Sequence, residues 1–213
     1  MHRRSIALYV TDTMADWEYA YLTAQITVAE RMRPGRFQLL LVGDGLEPVR
    51  SQGGMPITPT ADLGALSALR AEGALAALVI PGGDYYHAGH ERLIATVGEM
   101  LTAQVPVAAI CGATYLLARA GVLNERRHTS NSSDFLAASG YRGADRYVNA
   151  VVVSDRGVTT ASGLNAVPFT AEVMRVTELF PGEVADAWER LYSTGDAQYY
   201  GAWAQAADAW ARS

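Results

Sequence analysis

Short apolar runs alternate with longer segments of helical spacing along the chain. The apolar runs, at residues 6–10, 37–42, 75–80 and 105–110, are continuous, which suits strands buried on both faces of a parallel sheet. Helical spacing follows each of them, at residues 17–32, 63–71, 91–103 and 113–120, and Asp62 stands where an N-cap is expected. The alternation predicts an α/β fold: a doubly wound, mostly parallel sheet with helices on both faces.

Two interruptions of this alternation predict β-hairpins. The first lies between residues 47 and 59 around Gly53-Gly54, and the second lies at residues 147–161 around the turn Asp155-Arg156-Gly157. Residues 165–180 then have helical spacing, with a proline that the first turn of a helix tolerates. For the first segment, the alternative to a short hairpin is an excursion at the edge of the sheet.

The tail, residues 183–210, has helical spacing and is rich in tryptophan and tyrosine. A break at Thr194-Gly195-Asp196 predicts that it forms two helices. We therefore interpret residues 1–182 as an α/β domain and residues 183–213 as a helical C-terminal extension packed on the same domain. The alternative is that the aromatic residues form a dimer interface or a lid, because these residue types favour buried interface cores.

The composition excludes several classes of protein. Of the 213 residues, 50% are hydrophobic and 18% are charged, so the chain is not disordered. The 17 basic and 22 acidic residues give a net charge of -5, and neither nucleic acid nor an anionic membrane is expected as a partner. Every basic residue is an arginine, which excludes mechanisms that need a lysine, such as a Schiff base or a P-loop.

The cysteine content and the termini bear on location. A single cysteine excludes an intramolecular disulfide and fits a reducing compartment. The apolar run at the N-terminus is too short for a signal peptide, and no run approaches the ~20 apolar residues of a membrane span. We therefore expect a soluble cytoplasmic protein. Because no set of ligand residues is complete, we expect neither a metal nor a cofactor.

Cys111 stands between a predicted buried strand and a predicted helix. Alanines lie two residues before and after it and Gly112 follows it, which is typical of a nucleophile elbow, a turn that accepts only small neighbours. This context disfavours the alternative of an inert, buried cysteine. The elbow puts the sulfur at the carboxyl edge of the sheet, where α/β proteins bind ligands. Because the sulfur also faces a helix N-terminus, we expect its pKa to lie below ~8.5.

Two further features are expected at the same edge. Gly82 and Gly83 follow the strand at residues 75–80, and their N–H groups, with that of Gly112, are candidates for an oxyanion hole. Asp16 and Glu18 open the first helix; Asp16 is a possible pocket residue and Glu18 is expected to face the nucleophilic sulfur. A protonated Glu18 would donate a hydrogen bond to a thiolate and serve as general acid and base.

With these features the chain resembles the DJ-1/PfpI superfamily, which has the flavodoxin-like fold of class I glutamine amidotransferases. The resemblance covers residues 6–180, and its motifs are the elbow at 108–112, the Pro-Gly-Gly loop at 81–83, and segments 120–123 and 158–163. It implies a nucleophilic or redox-sensitive Cys111, Glu18 as its partner, and an oxyanion site at Gly83 and Gly112. It also implies a homodimer, because members are commonly homodimers. Activities attributed to relatives are those of a glyoxalase or deglycase, isocyanide hydratase, peptidase, chaperone or oxidative-stress sensor.

The histidines depart from the patterns of relatives. No histidine follows His128, so the Cys-His-Glu triad of amidotransferases is absent and glutamine hydrolysis is disfavoured. Asn131 stands where DJ-1 relatives carry a histidine, and an amide can orient a substrate or a water but is not a base. His128 and Asn131 would share one face of an extended segment, which leaves open whether His128 reaches Cys111.

Residues 81–90, which begin with Pro-Gly-Gly, are called the glycine loop here. His87 and His90 follow its glycines with a spacing that can suit a metal ion on a helix. No further His or Cys motif completes a metal site. We therefore consider His87 a possible residue at the rim of a pocket, with simple exposure at the surface as the alternative.

The sequence favours a cysteine-dependent enzyme that acts on a small electrophile, which is an aldehyde or glyoxal, an isocyanide or an amide. The Cys111 thiolate would attack, Glu18 would move the proton, and the N–H groups of Gly83 and Gly112 would stabilise the oxyanion. One alternative is a redox or stress-response protein whose Cys111 is reversibly oxidised without turnover. Another is a binding module with a vestigial site.

Overall fold

A computed structural model describes residues 3–213 of the protein. Its strands are β1 (Arg4–Tyr9), β2 (Phe37–Gly43), β3 (Val49–Arg50), β4 (Pro56–Ile57), β5 (Ala61–Asp62), β6 (Leu75–Ile80), β7 (Val107–Ile110), β8 (Val152–Asp155) and β9 (Val158–Ala161). Its helices are α1 (Asp16–Met32), α2 (Ala65–Ala71), α3 (Glu91–Thr102), α4 (Gly112–Arg119), α5 (Ser133–Ala137), α6 (Ala166–Thr177), α7 (Gly182–Thr194) and α8 (Tyr200–Arg212). Single 3₁₀ turns lie at Ala144–Arg146 and Ala197–Tyr199.

Seven strands form the main sheet in the order β5-β2-β1-β6-β7-β9-β8. Neighbouring strands are parallel except β8 and β9, which form the second of the predicted hairpins. The first predicted hairpin is also present, as the separate antiparallel pair β3 and β4. This topology confirms the predicted α/β fold, with the carboxyl ends of β1, β6 and β7 side by side at one edge.

Both faces of the sheet are covered, which explains why its strands are continuous apolar runs. In β1, Ile6 and Leu8 pack into a core with side chains of α1, α6, α7 and α8. The alternate residues Ala7 and Tyr9 pack into a second core with side chains of α2, α3 and α4. Because both faces of β1 are buried from Ile6 to Tyr9, the residues of this stretch are apolar on both faces.

Some boundaries differ from those predicted. Strand β7 begins at Val107 rather than at residue 105, because Pro106 has no N–H with which to extend the ladder. The prediction of Asp62 as the N-cap of α2 is wrong: Asp62 belongs to β5, and Gly64 is the N-cap residue. Strand β5 was not predicted, because two residues are too few to form a periodic pattern.

The tail forms the two expected helices, α7 and α8, separated by Gly195 in the left-handed conformation (φ 65°). Trp188 of α7 is 1% exposed and Trp210 of α8 is 6% exposed, and both belong to the core beneath α1 and α6. Trp188 also stacks on Tyr192, with the ring centroids 4.6 Å apart. No helix within residues 3–213 has both the length and the apolar character that crossing a membrane requires.

Candidate active site

Cys111 occupies the one position between β7 and α4, in a sparsely populated backbone conformation (φ 57°, ψ -123°). Its N–H donates to the carbonyl of Ala161 at 3.0 Å, which ties the turn to β9. Its carbonyl accepts the N–H and the hydroxyl of Thr114 at 3.1 and 2.6 Å. These bonds to β9 and to α4 hold the strained turn, so the sulfur has a fixed place at the carboxyl edge of the sheet.

Three glycines surround this sulfur so closely that no side chain fits on them. A Cβ on Gly82 would lie 2.7 Å from both Cys111 Cβ and Glu18 Oε2. A Cβ on Gly163 would lie 2.8 Å from both Cys111 Sγ and Glu18 Oε1, and one on Gly112 would lie 2.5 Å from the backbone of the glycine loop. The approach of the carboxyl group to the nucleophile therefore depends on Gly82 and Gly163, while Gly112, the first residue of α4, allows the elbow to pack against Gly83.

Glu18 presents its carboxyl group to the sulfur from the first turn of α1. The residue is 1% exposed, and its Oε2 accepts the N–H of Gly82 at 2.6 Å. Its Oε1 is buried and has no nitrogen or oxygen partner among residues 3–213. Oε1 and Cys111 Sγ lie on either side of the space that a Cβ on Gly163 would occupy, and the interaction with Cys111 lowers the pKa of Glu18.

Burial raises the pKa values of both acids in this pair. The pKa of Glu18 rises from 4.5 to about 7 because of its burial, although its contacts with Gly82 and Cys111 lower it. The pKa of Cys111 rises from 9.0 to about 11 because of burial and then because of the negative charge on Glu18. The expectation of a lowered thiol pKa is therefore wrong as a net direction, because burial and a carboxylate outweigh the helix N-terminus.

The two acids consequently share a single proton between pH about 7 and about 11. The higher value applies to a thiol that faces an ionised Glu18. Near neutral pH a thiolate forms when Glu18 holds the shared proton, because two negative charges in one buried site are unfavourable.

Asn131 supplies a fixed hydrogen-bond donor to the sulfur. Its Nδ2 donates to Cys111 Sγ at 3.4 Å, while its Oδ1 accepts the N–H of Gly163 at 2.9 Å. The carbonyl of Gly163 in turn accepts the indole N–H of Trp17 at 3.0 Å. Because a backbone N–H holds Oδ1, the amide directs its donor, and not its acceptor, at the sulfur. Asn131 thus favours the thiolate and provides no base.

The sulfur opens onto a pocket of about 480 Å³. Tyr86 is a buried wall of this pocket, and Tyr115 and Phe135 form an aromatic pair with ring centroids 5.5 Å apart. Asp84 and His87 are exposed. The lining residues are Gly83, Asp84, Tyr86, His87, Cys111, Gly112, Tyr115, Asn131, Phe135 and Ala138.

Two of the three glycines expected to form an oxyanion hole remain candidates. Gly83 and Gly112 line the pocket, and their backbones are in contact. Gly82 is not available, because its N–H is donated to Glu18 Oε2. Its role is to hold the carboxyl group, while Gly83 and Gly112 present backbone to the space above the sulfur.

His128 does not reach the pocket, so its interpretation as a possible pocket residue is wrong. The ring is completely buried, with Nδ1 bonded to the carbonyl of Arg126 at 2.8 Å and Nε2 bonded to the hydroxyl of Tyr141 at 3.0 Å. Burial lowers the pKa of this imidazole. With both ring nitrogens occupied, His128 stabilises the fold and cannot serve Cys111 as a base.

Asp16 and the two histidines of the glycine loop lie in three different surroundings. Asp16 accepts the N–H of Gly53 at 2.7 Å and holds the hairpin of β3 and β4, so it is not a pocket residue. His87 lines the pocket, whereas His90 precedes α3 and contacts the hydroxyl of Tyr9 at 3.1 Å. Within residues 3–213, no three His, Cys, Asp or Glu side chains are grouped so as to hold a metal ion.

Sequence reasoning did not identify several residues of the site. Gly163 ends the motif at residues 158–163, so the sequence marks it as part of a motif, but its position between Cys111 and Glu18 depends on the fold. Tyr86, Tyr115 and Phe135 had none, because aromatic residues at helical or loop positions are usually part of a core. Phe135 comes from α5, which is too short for its pattern to predict.

Comparisons with known proteins give the family and the fold of the chain. The model of the DJ-1/PfpI family matches residues 4–176. The uncharacterized protease YoaZ of Bacillus subtilis is 32% identical over 205 residues, which cover 94% of this chain and 96% of that protein. A thiJ/pfpI family protein from Bacillus anthracis has a similar structure, with a TM-score of 0.85, 30% identity and coverage of 98% and 99% of the two chains. A DJ-1 superfamily protein from Agrobacterium tumefaciens has a TM-score of 0.77 at 32% identity, covering 90% and 98%.

Proposed function

This chain belongs to the DJ-1/PfpI family, and we propose that it is a cysteine-dependent enzyme acting on a small electrophile through Cys111, with Glu18 as its proton partner. The observation that carries the proposal is the set of groups around one sulfur. A buried carboxyl oxygen without a nitrogen or oxygen partner among residues 3–213 lies beside it, a fixed amide donor contacts it, and a pocket opens above it. A merely structural cysteine needs none of these.

The pair of acids suits addition to a carbonyl carbon. In the reactive form, Cys111 is a thiolate and Glu18 holds the shared proton. Attack on an aldehyde forms a C–S bond and breaks the carbonyl π bond, whose electron pair moves to oxygen. The N–H groups of Gly83 and Gly112 stabilise this oxyanion, which then takes the proton of Glu18 to give a hemithioacetal. Glu18 is left as a carboxylate that can remove the next proton.

The same groups rank the candidate electrophiles. Aldehydes, including 2-oxoaldehydes, and isocyanides need an addition and a proton, both of which the Cys111–Glu18 pair supplies. An amide needs more than an addition, because its leaving amine must also take a proton and a water must then release the acyl group from Cys111. We therefore expect carbonyl or isocyanide turnover before amide hydrolysis, and the name of the YoaZ relative is the reason to include a peptide substrate among the assays.

The test is turnover of aldehydes, isocyanides and peptides by the wild-type protein, Cys111→Ser and Glu18→Gln. We expect turnover to disappear in Cys111→Ser and to fall by roughly 10²–10⁴-fold in Glu18→Gln, which is the usual contribution of a positioned proton donor. Glu125→Gln, which changes an exposed carboxylate, is the matched control and should retain full activity. Turnover that survives in Cys111→Ser would refute the proposal.

The second candidate function is a redox or stress-response protein without turnover. It is favoured by one observation: the amide of Asn131 is hydrogen-bonded to the sulfur, and no imidazole of residues 3–213 is. Peroxide would oxidise Cys111 to a sulfenic acid and be reduced to water, and Glu18 below pH about 7 would donate its proton to the new oxygen. A mass gain on Cys111 that thiols reverse, without turnover of any electrophile, would support this function over the first.

We further propose that the protein is a homodimer. An apolar groove of about 540 Å³ is flanked by the exposed side chains of Trp17, Leu164 and Tyr192, and Leu164 is 95% exposed. Such exposed apolar surface favours association with another protein surface. Analytical ultracentrifugation should give a dimer for the wild-type protein and a monomer for Leu164→Asp; a monomeric wild-type protein would refute the proposal.

A further inference from the structure

Aromatic rings form much of the pocket wall above the nucleophile. Tyr86 is 2% exposed, and its hydroxyl is donated to the carbonyl of Pro81 at 2.9 Å. The hydroxyl of Tyr115 is likewise donated, to the carbonyl of Ala138 at 3.0 Å, and its ring packs at 57° against that of Phe135. Because both hydroxyls are engaged, the rings offer the pocket apolar surface, on which an aromatic group of a ligand packs favourably.

The charges around the pocket disfavour an anion. Asp84 is an exposed carboxylate of the lining, and the Cys111–Glu18 pair beside it carries one negative charge while its two acids share a single proton. Arg119 donates to the carbonyls of Tyr86 and Gly89 and is not among the lining residues. No arginine lines the pocket within residues 3–213, and the chain has no lysine. A carboxylate entering this pocket would lose water and would meet neither a guanidinium nor an ammonium group.

The volume of the pocket also favours a substrate that carries an apolar group. A small aliphatic aldehyde would leave most of a pocket of about 480 Å³ filled with water, whereas a ring-bearing substrate would displace that water from apolar walls. We infer that the substrate of Cys111 is an uncharged electrophile carrying an aromatic or branched apolar group, such as an aryl-substituted 2-oxoaldehyde, and that anionic carbonyl compounds are excluded.

This inference rests on the proposed function, so its test includes a measurement that needs no turnover. Cys111 is the only thiol of the chain, and its alkylation is therefore followed at one site. The probes are iodoacetamide, its N-phenyl derivative and iodoacetate, which share a leaving group and differ in aromaticity and charge. Each rate constant is divided by that of the same reagent with glutathione, which removes intrinsic reactivity from the comparison.

We expect the normalised rate of the N-phenyl reagent to exceed that of iodoacetamide about tenfold, from the burial of one ring. We expect iodoacetate to react about tenfold more slowly than iodoacetamide, because a carboxylate is desolvated near other carboxylates. Equal normalised rates for all three reagents, or faster reaction of iodoacetate, would overturn the inference.

Variants of the wall identify the cause of these preferences. Phe135→Ala should remove most of the preference for the N-phenyl reagent. Phe135→Leu keeps apolar volume and should remove part of the preference, and it replaces Phe135→Ala in the test if that variant does not fold. The matched control is Tyr85→Ala, because Tyr85 is an aromatic residue of the glycine loop that is 56% exposed and outside the lining. Asp84→Asn should raise the relative rate of iodoacetate about threefold. A preference unchanged in both Phe135 variants would overturn the assignment to these rings.

Turnover separates the two proposals. Faster consumption of phenylglyoxal than of glyoxylate by the wild-type protein, with neither compound consumed by Cys111→Ser, would support both the proposed function and this inference. Preferred turnover of glyoxylate would overturn this inference and leave the proposed function intact. The expected alkylation ratios without turnover of any electrophile would support the pocket preference and overturn the proposed function.

Discussion

Replacing Glu18 by glutamine should flatten the dependence of stability on pH. Burial raises the pKa of Glu18 from 4.5 to about 7 in the folded protein. Below 4.5 the folded and unfolded states both hold the proton, and no free energy is lost. As the pH rises from 4.5 to about 7, the unfolded state releases a proton that the folded state keeps, and stability falls. At about 1.4 kcal/mol per pH unit, the loss reaches about 3 kcal/mol and stays constant above that range.

The amide of Glu18→Gln has nearly the shape of the carboxyl group and does not titrate. Its oxygen can accept the N–H of Gly82 as Oε2 does. Urea unfolding at pH 4.5 and at about pH 8 should therefore show the wild-type free energy of unfolding falling by about 3 kcal/mol more than that of the variant. Cys111 does not disturb this window, because its pKa is raised from 9.0 to about 11. The exposed control Glu125→Gln should follow the wild-type profile, and parallel profiles for Glu18→Gln and the wild type would refute the reasoning.

Three further predictions concern the surroundings of the site and the tail. Gly163→Ala should lower kcat at least about 100-fold, because its Cβ would lie 2.8 Å from Cys111 Sγ. The control Gly98→Ala lies on helix α3, where a Cβ would meet nothing within 4 Å, and should leave kcat unchanged. Equal kcat values for the two variants in steady-state assays would contradict this prediction. Arg119→Gln should lower the free energy of unfolding by about 2 kcal/mol in urea titrations, because the variant loses the charged hydrogen bonds to two carbonyls of the glycine loop. An unchanged free energy of unfolding would show that these bonds do not stabilise the fold. Trp188→Ala should lower the free energy of unfolding by about 3–5 kcal/mol, because Trp188 is buried in the core. We propose that α7 and the α/β domain unfold together, so the variant should unfold in one cooperative transition, and a separate early transition would contradict this.

The sequence by itself determined most of the fold, because the elements that matter are strongly patterned. Strands buried on both faces read as unbroken apolar runs, and β1, β2 and β6 lie where those runs lie. The elbow at Cys111 was also predictable from the sequence, because a tight strand-to-helix turn restricts its neighbours to small residues. These are local constraints, in which a residue and its chain neighbours share the physical cause.

Only the tertiary structure decided the chemistry of the site, because its contacts join residues far apart in the chain. Glu18 meets Gly82 and Gly163, and Asn131 is oriented by Gly163 rather than by its own neighbours. The direction of the Cys111 pKa followed from burial and from a carboxylate contributed by another helix, neither of which the local motif records. Local sequence constrains turns and faces, whereas pKa values and pocket walls depend on what the fold brings into contact and removes from water.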